Sequence, residues 1–275
     1  MMKYLVLISL ALLSAMHNVS ACSTDEQGLE KAKQIWEQAI IAKGGRERLL
    51  NINNLLIVDN KTHSVSLDVF PDKNWVWAVD AKPIGTNVIS ENYATGIAYR
   101  IKSDKVPDSF KLNPARMTWH LASLLELLLE TKWVKPKILG YDTTKINGRD
   151  FDVVCTQITS DAIWDRDFIF DQTTHLLVRT ITPSKDDGSG FRLITNYKDY
   201  IEVKGIKLAQ KVVGKFENGH SWIDWNSTYQ IDVEYKKDLF DGPPRIADGP
   251  NGWMEKKPDE KKSRAKTEKP TNKDE

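Results

Sequence analysis

Polar and apolar residues alternate along most of this chain. From Ile223 to Tyr235 the odd positions read Ile, Trp, Ser, Tyr, Ile, Val and Tyr, while Asp224, Asn226, Thr228, Gln230, Asp232 and Glu234 occupy the even ones. A period of two puts these sets on opposite faces, so the segment predicts a long strand wet on one side. Val65, Leu67 and Val69 repeat the pattern, as do Trp75, Trp77 and Val79, then Ile97, Tyr99 and Ile101. Asn147-Gly148, Asn218-Gly219 and Lys204-Gly205 supply residues suited to hairpin turns between such runs. Sequential hairpins predict an antiparallel sheet of roughly ten strands.

Two segments change period to that of a helix. From Ser23 or Thr24 to Lys43, residues Leu29, Ala32, Trp36, Ala39 and Ile40 share one face, and Gly44-Gly45 provides a left-handed stop. This helix is expected to pack on the sheet through Trp36. After Asn113-Pro114, Met117, Leu121, Leu124, Leu125 and Leu128 form a stripe that Trp119, Leu127 and Leu129 widen, leaving Glu126 and Glu130 as a narrow polar strip. A helix so apolar must be covered on more than one side. With few helices and many strands, the expected fold is mainly β with α: a curved antiparallel sheet, a half-open β-barrel whose concave side this helix plugs.

The ends of the chain are of different character. Lys3 precedes an apolar run from Tyr4 to Met16, then Val19-Ser20-Ala21-Cys22. The run is too short for a permanent membrane span, and residues 1–21 read as a signal peptide removed on export. Val-Ser-Ala is a small-residue cleavage site, and Val-Ser-Ala-Cys also fits a loose lipobox, in which case Cys22 is lipidated and anchors the protein to a membrane. The alternative leaves Cys22 as a free or paired thiol, a bridge to Cys155 included. Residues 22–254 form one domain large enough for a sizeable core. From Glu255 to Glu275 there is no large apolar residue, which predicts a disordered charged tail.

Basic and acidic residues nearly balance, 39 against 38, so nothing points to nucleic acid. His63, His120, His175 and His220 lie far apart with no metal-ligand spacing, no Gly-x-Ser-x-Gly elbow occurs, and Asp165 and Asp167 alternate to one face of a strand as solvated acids usually do. The chain thus gives no sign of an enzyme, a metal or a cofactor.

Four segments, in order, resemble the LolA/LolB-like lipoprotein-carrier family. They are Ala42-Lys43-Gly44-Gly45-Arg46-Glu47-Arg48-Leu49; Leu139-Gly140-Tyr141 through Asn147-Gly148-Arg149 to Val154; Phe170-Asp171 through Thr174-His175-Leu176-Leu177, with His175 where glycine is usual; and Tyr197-Lys198-Asp199-Tyr200 through Lys204-Gly205 to Leu208, with Ala209 replacing a proline. The resemblance covers residues 30 to 240 loosely and implies a half-open barrel whose interior shields an acyl chain, lipid or lipoprotein in the periplasm. Outer-membrane attachment follows if Cys22 is lipidated.

Candidate ligand contacts are the aromatic and leucine positions of the expected inner face: Trp75, Trp77, Tyr99, Leu121, Leu124, Leu128, Trp164, Arg166, Phe168 and Phe170. In Trp164-Asp165-Arg166-Asp167-Phe168-Ile169-Phe170, alternation turns Arg166 to the side of the aromatics, where it could grip a polar headgroup at the pocket mouth. The partner expected is a hydrophobic small molecule or a lipidated protein, bound by a monomer. Two other readings stand beside the carrier: an assembly lipoprotein that binds a protein partner, and an enzyme of unrecognised type.

Overall fold

A computed structural model describes residues 22–70, 74–81, 85–92, 95–102, 108–111, 122–158, 165–182, 192–217, 219–242 and 253. The leader, Met117, Trp119, Leu121, Trp164 and the tail from Glu255 lie outside the described residues, as does the side chain of Trp77.

Helix α1 (Glu26–Lys43) begins later than the sequence suggests, because Asp25 is its cap: the carboxylate accepts the Gly28 N–H at 2.7 Å. Ser23 is instead extended and exchanges two backbone hydrogen bonds with Tyr141. Gly44, at φ 138°, ends the helix by donating to Ile40 and Ile41. A side chain there would collide with the Gly205 carbonyl, so glycine is required by contact as well as by conformation. A short helix α2 (Arg46–Asn51) then leads into the sheet.

The strands come in two runs. The first is β1 (Asn54–Asp59), β2 (Ser64–Val69), β3 (Asn74–Ala81), β4 (Gly85–Asn92), β5 (Ile97–Lys102) and β6 (Asp108–Lys111). The second is β7 (Lys137–Ile146), β8 (Arg149–Gln157), β9 (Asp165–Asp171), β10 (Leu177–Thr182), β11 (Leu193–Val203), β12 (Ile206–Phe216) and β13 (Ser221–Ile231). Their order is β6-β5-β4-β3-β2-β1-β13-β12-β11-β10-β9-β8-β7 in one antiparallel sheet. Two meanders therefore meet at a seam between β1 and β13, where Ile57 faces Tyr229 and Asp59 faces Ser227. The sheet is curved and not closed into a barrel, as expected for a half-open form.

Turn chemistry works as the sequence implies. Asn147 and Gly148 sit at φ 52° and 79°, and Lys204 and Gly205 at φ 50° and 76°, between paired strand ends. His175 adopts φ 54°, so it takes the left-handed position that glycine usually fills.

Three apolar groups hold the sheet. The largest lies on the concave side, where Trp36 of α1 meets Phe168 and Phe170 edge to face at 5.2 and 5.9 Å. Each such aromatic contact adds about 0.5–1.5 kcal/mol to the gain from burial itself. The leucine-rich helical segment, 122–128, packs beside α1, with Ala122, Leu124, Leu125 and Leu128 buried. Its acids are not a solvated strip. Glu130 accepts from Arg46, which also holds Glu37 of α1, and Glu126 is bound by the buried Arg166.

The second group lies on the convex side of β1–β3, where Leu56, Leu67, Val69 and Val76 pack under Phe240 and Trp253. Residues 233–242 and Trp253 thus cover the back of the sheet, tied by a hydrogen bond from the Lys236 N–H to the Trp253 carbonyl. The third group is Phe151, Val153 and Ile169, beside the Cys22–Cys155 bridge.

That bridge corrects the lipidated reading of Cys22. Its sulfur is bonded to Cys155, with Cα atoms 6.3 Å apart, and a sulfur so bonded cannot carry a thioether-linked lipid. Cys22 and Ser23 instead wrap the outer edge of β7 and protect a strand that would otherwise offer unpaired backbone groups.

Candidate functional site

Between the leucine-rich helix and the seam lies a cavity of about 640 Å³. Every element contributes by period. The odd positions of β1 and β13 turn Ile57, Trp225 and Tyr229 inward, while cross-strand pairing puts Ser66 opposite Ile57 and Asp68 opposite Leu55. From β3 and β4 come Trp75, Glu91 and Ile89; from β11 and β12, Tyr197 and Val212. The helix closes the other side with Ser123, Leu124, Glu126 and Leu127. Most of this lining is apolar, and the volume falls in the range of about 300–1,000 Å³ typical of small-molecule sites.

At the wall nearest α1 the polar groups form a buried network. Arg166 donates through Nη1 to Glu126 Oε1, which also accepts the Thr180 hydroxyl at 3.1 Å. The Tyr197 hydroxyl stands 3.3 Å from that of Thr180. Burial and the adjacent Glu126 carboxylate push the Tyr197 phenol well above its ordinary pKa, so it remains a neutral donor. Arg166 Nε has no hydrogen-bond partner among the described residues. Asp59 is a turn-former: it accepts the backbone N–H groups of Lys61, Thr62 and Asn226 and the Thr62 hydroxyl.

The expected contacts divide. Trp75 and Leu124 line the cavity, and Arg166 reaches its wall only through Glu126. Phe168 and Phe170 are fully buried beneath Trp36, and Leu128 belongs to the same packed group, so these three are core. Arg166 is likewise no headgroup clamp at a pocket mouth, being 3 % exposed and already engaged by Glu126. Tyr99 pairs with Ser90 while Glu91 and Ile89 line the cavity, which places Tyr99 on the opposite face of the sheet. Leu121, Trp164 and the Trp77 side chain lie outside the described residues.

Sequence reasoning missed Ile57, Tyr197, Trp225, Tyr229 and the inward acids Asp68, Glu91 and Glu126. Trp225 and Tyr229 carried a readable signal, since they share the apolar face of the clearest alternating strand. Asp68 carried none, because the apolar neighbours Leu67 and Val69 pack on the back of the sheet and not in the cavity. No helix among the described residues is long and apolar enough to cross a membrane, and no group of acids, histidines and cysteines among them could hold a metal ion.

No protein-family model matches the chain, and no curated protein matches it. Among solved structures the chain is similar to a LolA superfamily protein from Nitrosomonas europaea, with 10% identity over 76% of this chain and 96% of that one, at a TM-score of 0.47. A DUF1329 family protein from Desulfovibrio piger is similar at 11% identity over 76% and 96%, with a TM-score of 0.37. A domain from Vibrio parahaemolyticus named for outer membrane lipoprotein sorting is similar at 11% identity over 78% and 96%, with a TM-score of 0.36.

Proposed function

We propose that this is an exported binding protein that carries one hydrophobic ligand, an acyl chain or a lipid-linked group, through the periplasm. The cavity carries this reading. Its exposed lining is mostly apolar, and the leucine-rich helix closes it with Leu124 and Leu127. An acyl chain entering it gains roughly 0.8 kcal/mol per buried methylene, so ten methylenes suffice for useful affinity with no catalytic group. The signal-type leader supports the compartment, and the Cys22–Cys155 bridge suits an oxidising one.

Native mass spectrometry of the protein purified from its own secretion compartment tests the reading, paired with uptake of an apolar fluorophore by the delipidated form. The expected result is a retained hydrophobic molecule, or fluorophore binding that added single-chain lipid displaces. Protein that retains nothing and takes up no fluorophore overturns it.

A further inference from the structure

The Cys22–Cys155 bridge belongs to a row of cross-strand partners on the convex face. Gly140 of β7 stands opposite Cys155, Cys155 opposite Asp167 of β9, and Asp167 opposite Ile181 of β10. Gly140 leaves room for the bridge to cross: a Cβ there would meet the Ser23 carbonyl oxygen at 2.4 Å and the Cys22 Cβ at 3.2 Å. Both cysteines are half-buried, so neither sulfur is sealed from solvent. Directly opposed side chains lie about 4.5–5.5 Å apart at Cβ, which sets the Asp167 carboxyl beside the Cys155 sulfur. Asp167 is not a solvated strand acid. It is 9 % exposed, and burial pushes its carboxyl up to about 6; Arg192 opposes that rise, and Asp165 and Asp142 add to it. Among the described residues, the adjoining rows on this face hold Asp142 and Arg179 to one side, Arg179 donating to Asn196, and Asp165 and the exposed Lys137 to the other. A thiolate left on Cys155 would stand among these carboxyl groups, where like charge disfavours it. A proton held next to it removes that penalty.

We propose that this bridge is a thiol–disulfide exchange site for a dithiol, with Asp167 as the proton donor to Cys155. A thiolate of the dithiol attacks Cys22 Sγ, the Cys22–Cys155 bond breaks, and the departing Cys155 sulfur takes the Asp167 proton. The second thiol of the reductant loses its proton to solvent, attacks the reductant's sulfur in the mixed disulfide, and releases Cys22 as a thiolate that water protonates. Two electrons pass from the dithiol to the protein, and the dithiol leaves as a disulfide. In reverse, the Asp167 carboxylate accepts the Cys155 proton. Cys22 is the sulfur attacked because it lies on the outer edge of the sheet, whereas Cys155 is hemmed between β7 and β9. The cavity lies on the other face, so the carrier reading and this site stand or fall separately.

Reduction of the folded protein by dithiothreitol between pH 5 and pH 8 tests the site, with freed thiols counted over time and each rate divided by the concentration of dithiothreitol thiolate. The corrected rate is expected to fall at least about tenfold as pH rises, with its midpoint at about 6. Asp167→Asn should be slow and flat across the range, matching the unaltered protein at pH 8. A flat profile in the unaltered protein, or a bridge that dithiothreitol does not open, overturns the proposal, and that measurement decides even where the variant fails to fold. So does a folded Asp167→Asn that keeps the inflection. A variant that is uniformly fast overturns it too, because the carboxylate would then act only by repelling the incoming thiolate.

Discussion

The two halves of the sheet use the same concave face in opposite ways. Over β7–β11 it is solid, with Trp36, Phe168 and Phe170 interlocked and the helix α1 pressed on β7 and β8. Over β1–β4 and β13 it is hollow, and the residues that replace the aromatic interlock are Ser64, Ser66, Asp68, Ser227 and two half-buried tryptophans. Small and polar side chains leave space that large ones would fill. The solid half keeps the curve, and the hollow half can remain unfilled because the convex side of β1–β3 has its own cover from Phe240 and Trp253. Each strand of that region is thus buried on the back and vacant on the front.

Substitution should expose this division. Phe168→Ala in the solid half is expected to cost about 4 kcal/mol, since it opens a cavity in a close-packed group. Trp225→Ala in the hollow half should cost about 1 kcal/mol or less, yet weaken binding of an alkyl chain. Urea titration of both variants, with fluorophore binding alongside, makes the comparison. Equal losses of stability would mean the two halves are packed alike.

The boundary between the halves is the Arg166–Glu126 pair, and its removal gives the next largest effect. Arg166→Met leaves a buried carboxylate without its guanidinium and should lose about 3 kcal/mol. Adding Glu126→Leu should restore most of that loss, because the two apolar side chains need no desolvated charge. A double-mutant cycle by denaturation measures the coupling, and simple additivity would show that the pair is not acting as a unit.

The smallest effect concerns Lys43, buried in the solid half at the end of α1 over the Tyr200 ring, 5.2 Å from its centroid. Burial lowers its pKa to about 7 from the ordinary 10.5. The unfolded chain then binds more protons between these values, so stability rises with pH from about 7 toward 10.5, and the cost of burial is felt in full below 7. Lys43→Met should accordingly be more stable than the unaltered protein at pH 6 by about 1–2 kcal/mol, the aromatic ring having offset part of the penalty. By pH 10 the gap should nearly close. Denaturation at the two pH values reads it directly.

Much of the frame was legible because it rests on local rules. The turns at Asn147-Gly148 and Lys204-Gly205, the stop at Gly44 and the buried stripe of α1 each depend on a few neighbouring residues, and each stands where the sequence puts it. The hollow was less legible. Alternation tells which residues share a face, not which face is inner, and in β2 the apolar set Leu67 and Val69 turns outward to a segment that begins more than 160 residues later. Arg166 was rightly aligned with aromatics, but its partner Glu126 is 40 residues distant and looked like a solvated helix acid. The cysteines posed the same difficulty, since a pairing across 133 residues leaves no local trace.

The seam between β1 and β13 has a consequence for manufacture. The chamber wall joins the earliest strand to the latest, β1 giving Ile57 and β13 giving Trp225 and Tyr229, so a nascent or truncated chain that has not yet delivered Trp225 and Tyr229 has a chamber open at the seam. Long-range pairing of this sort is slow and comes late in folding. On the carrier reading, a copy cut short before Ser221 lacks the β13 side of the wall and should hold a ligand poorly.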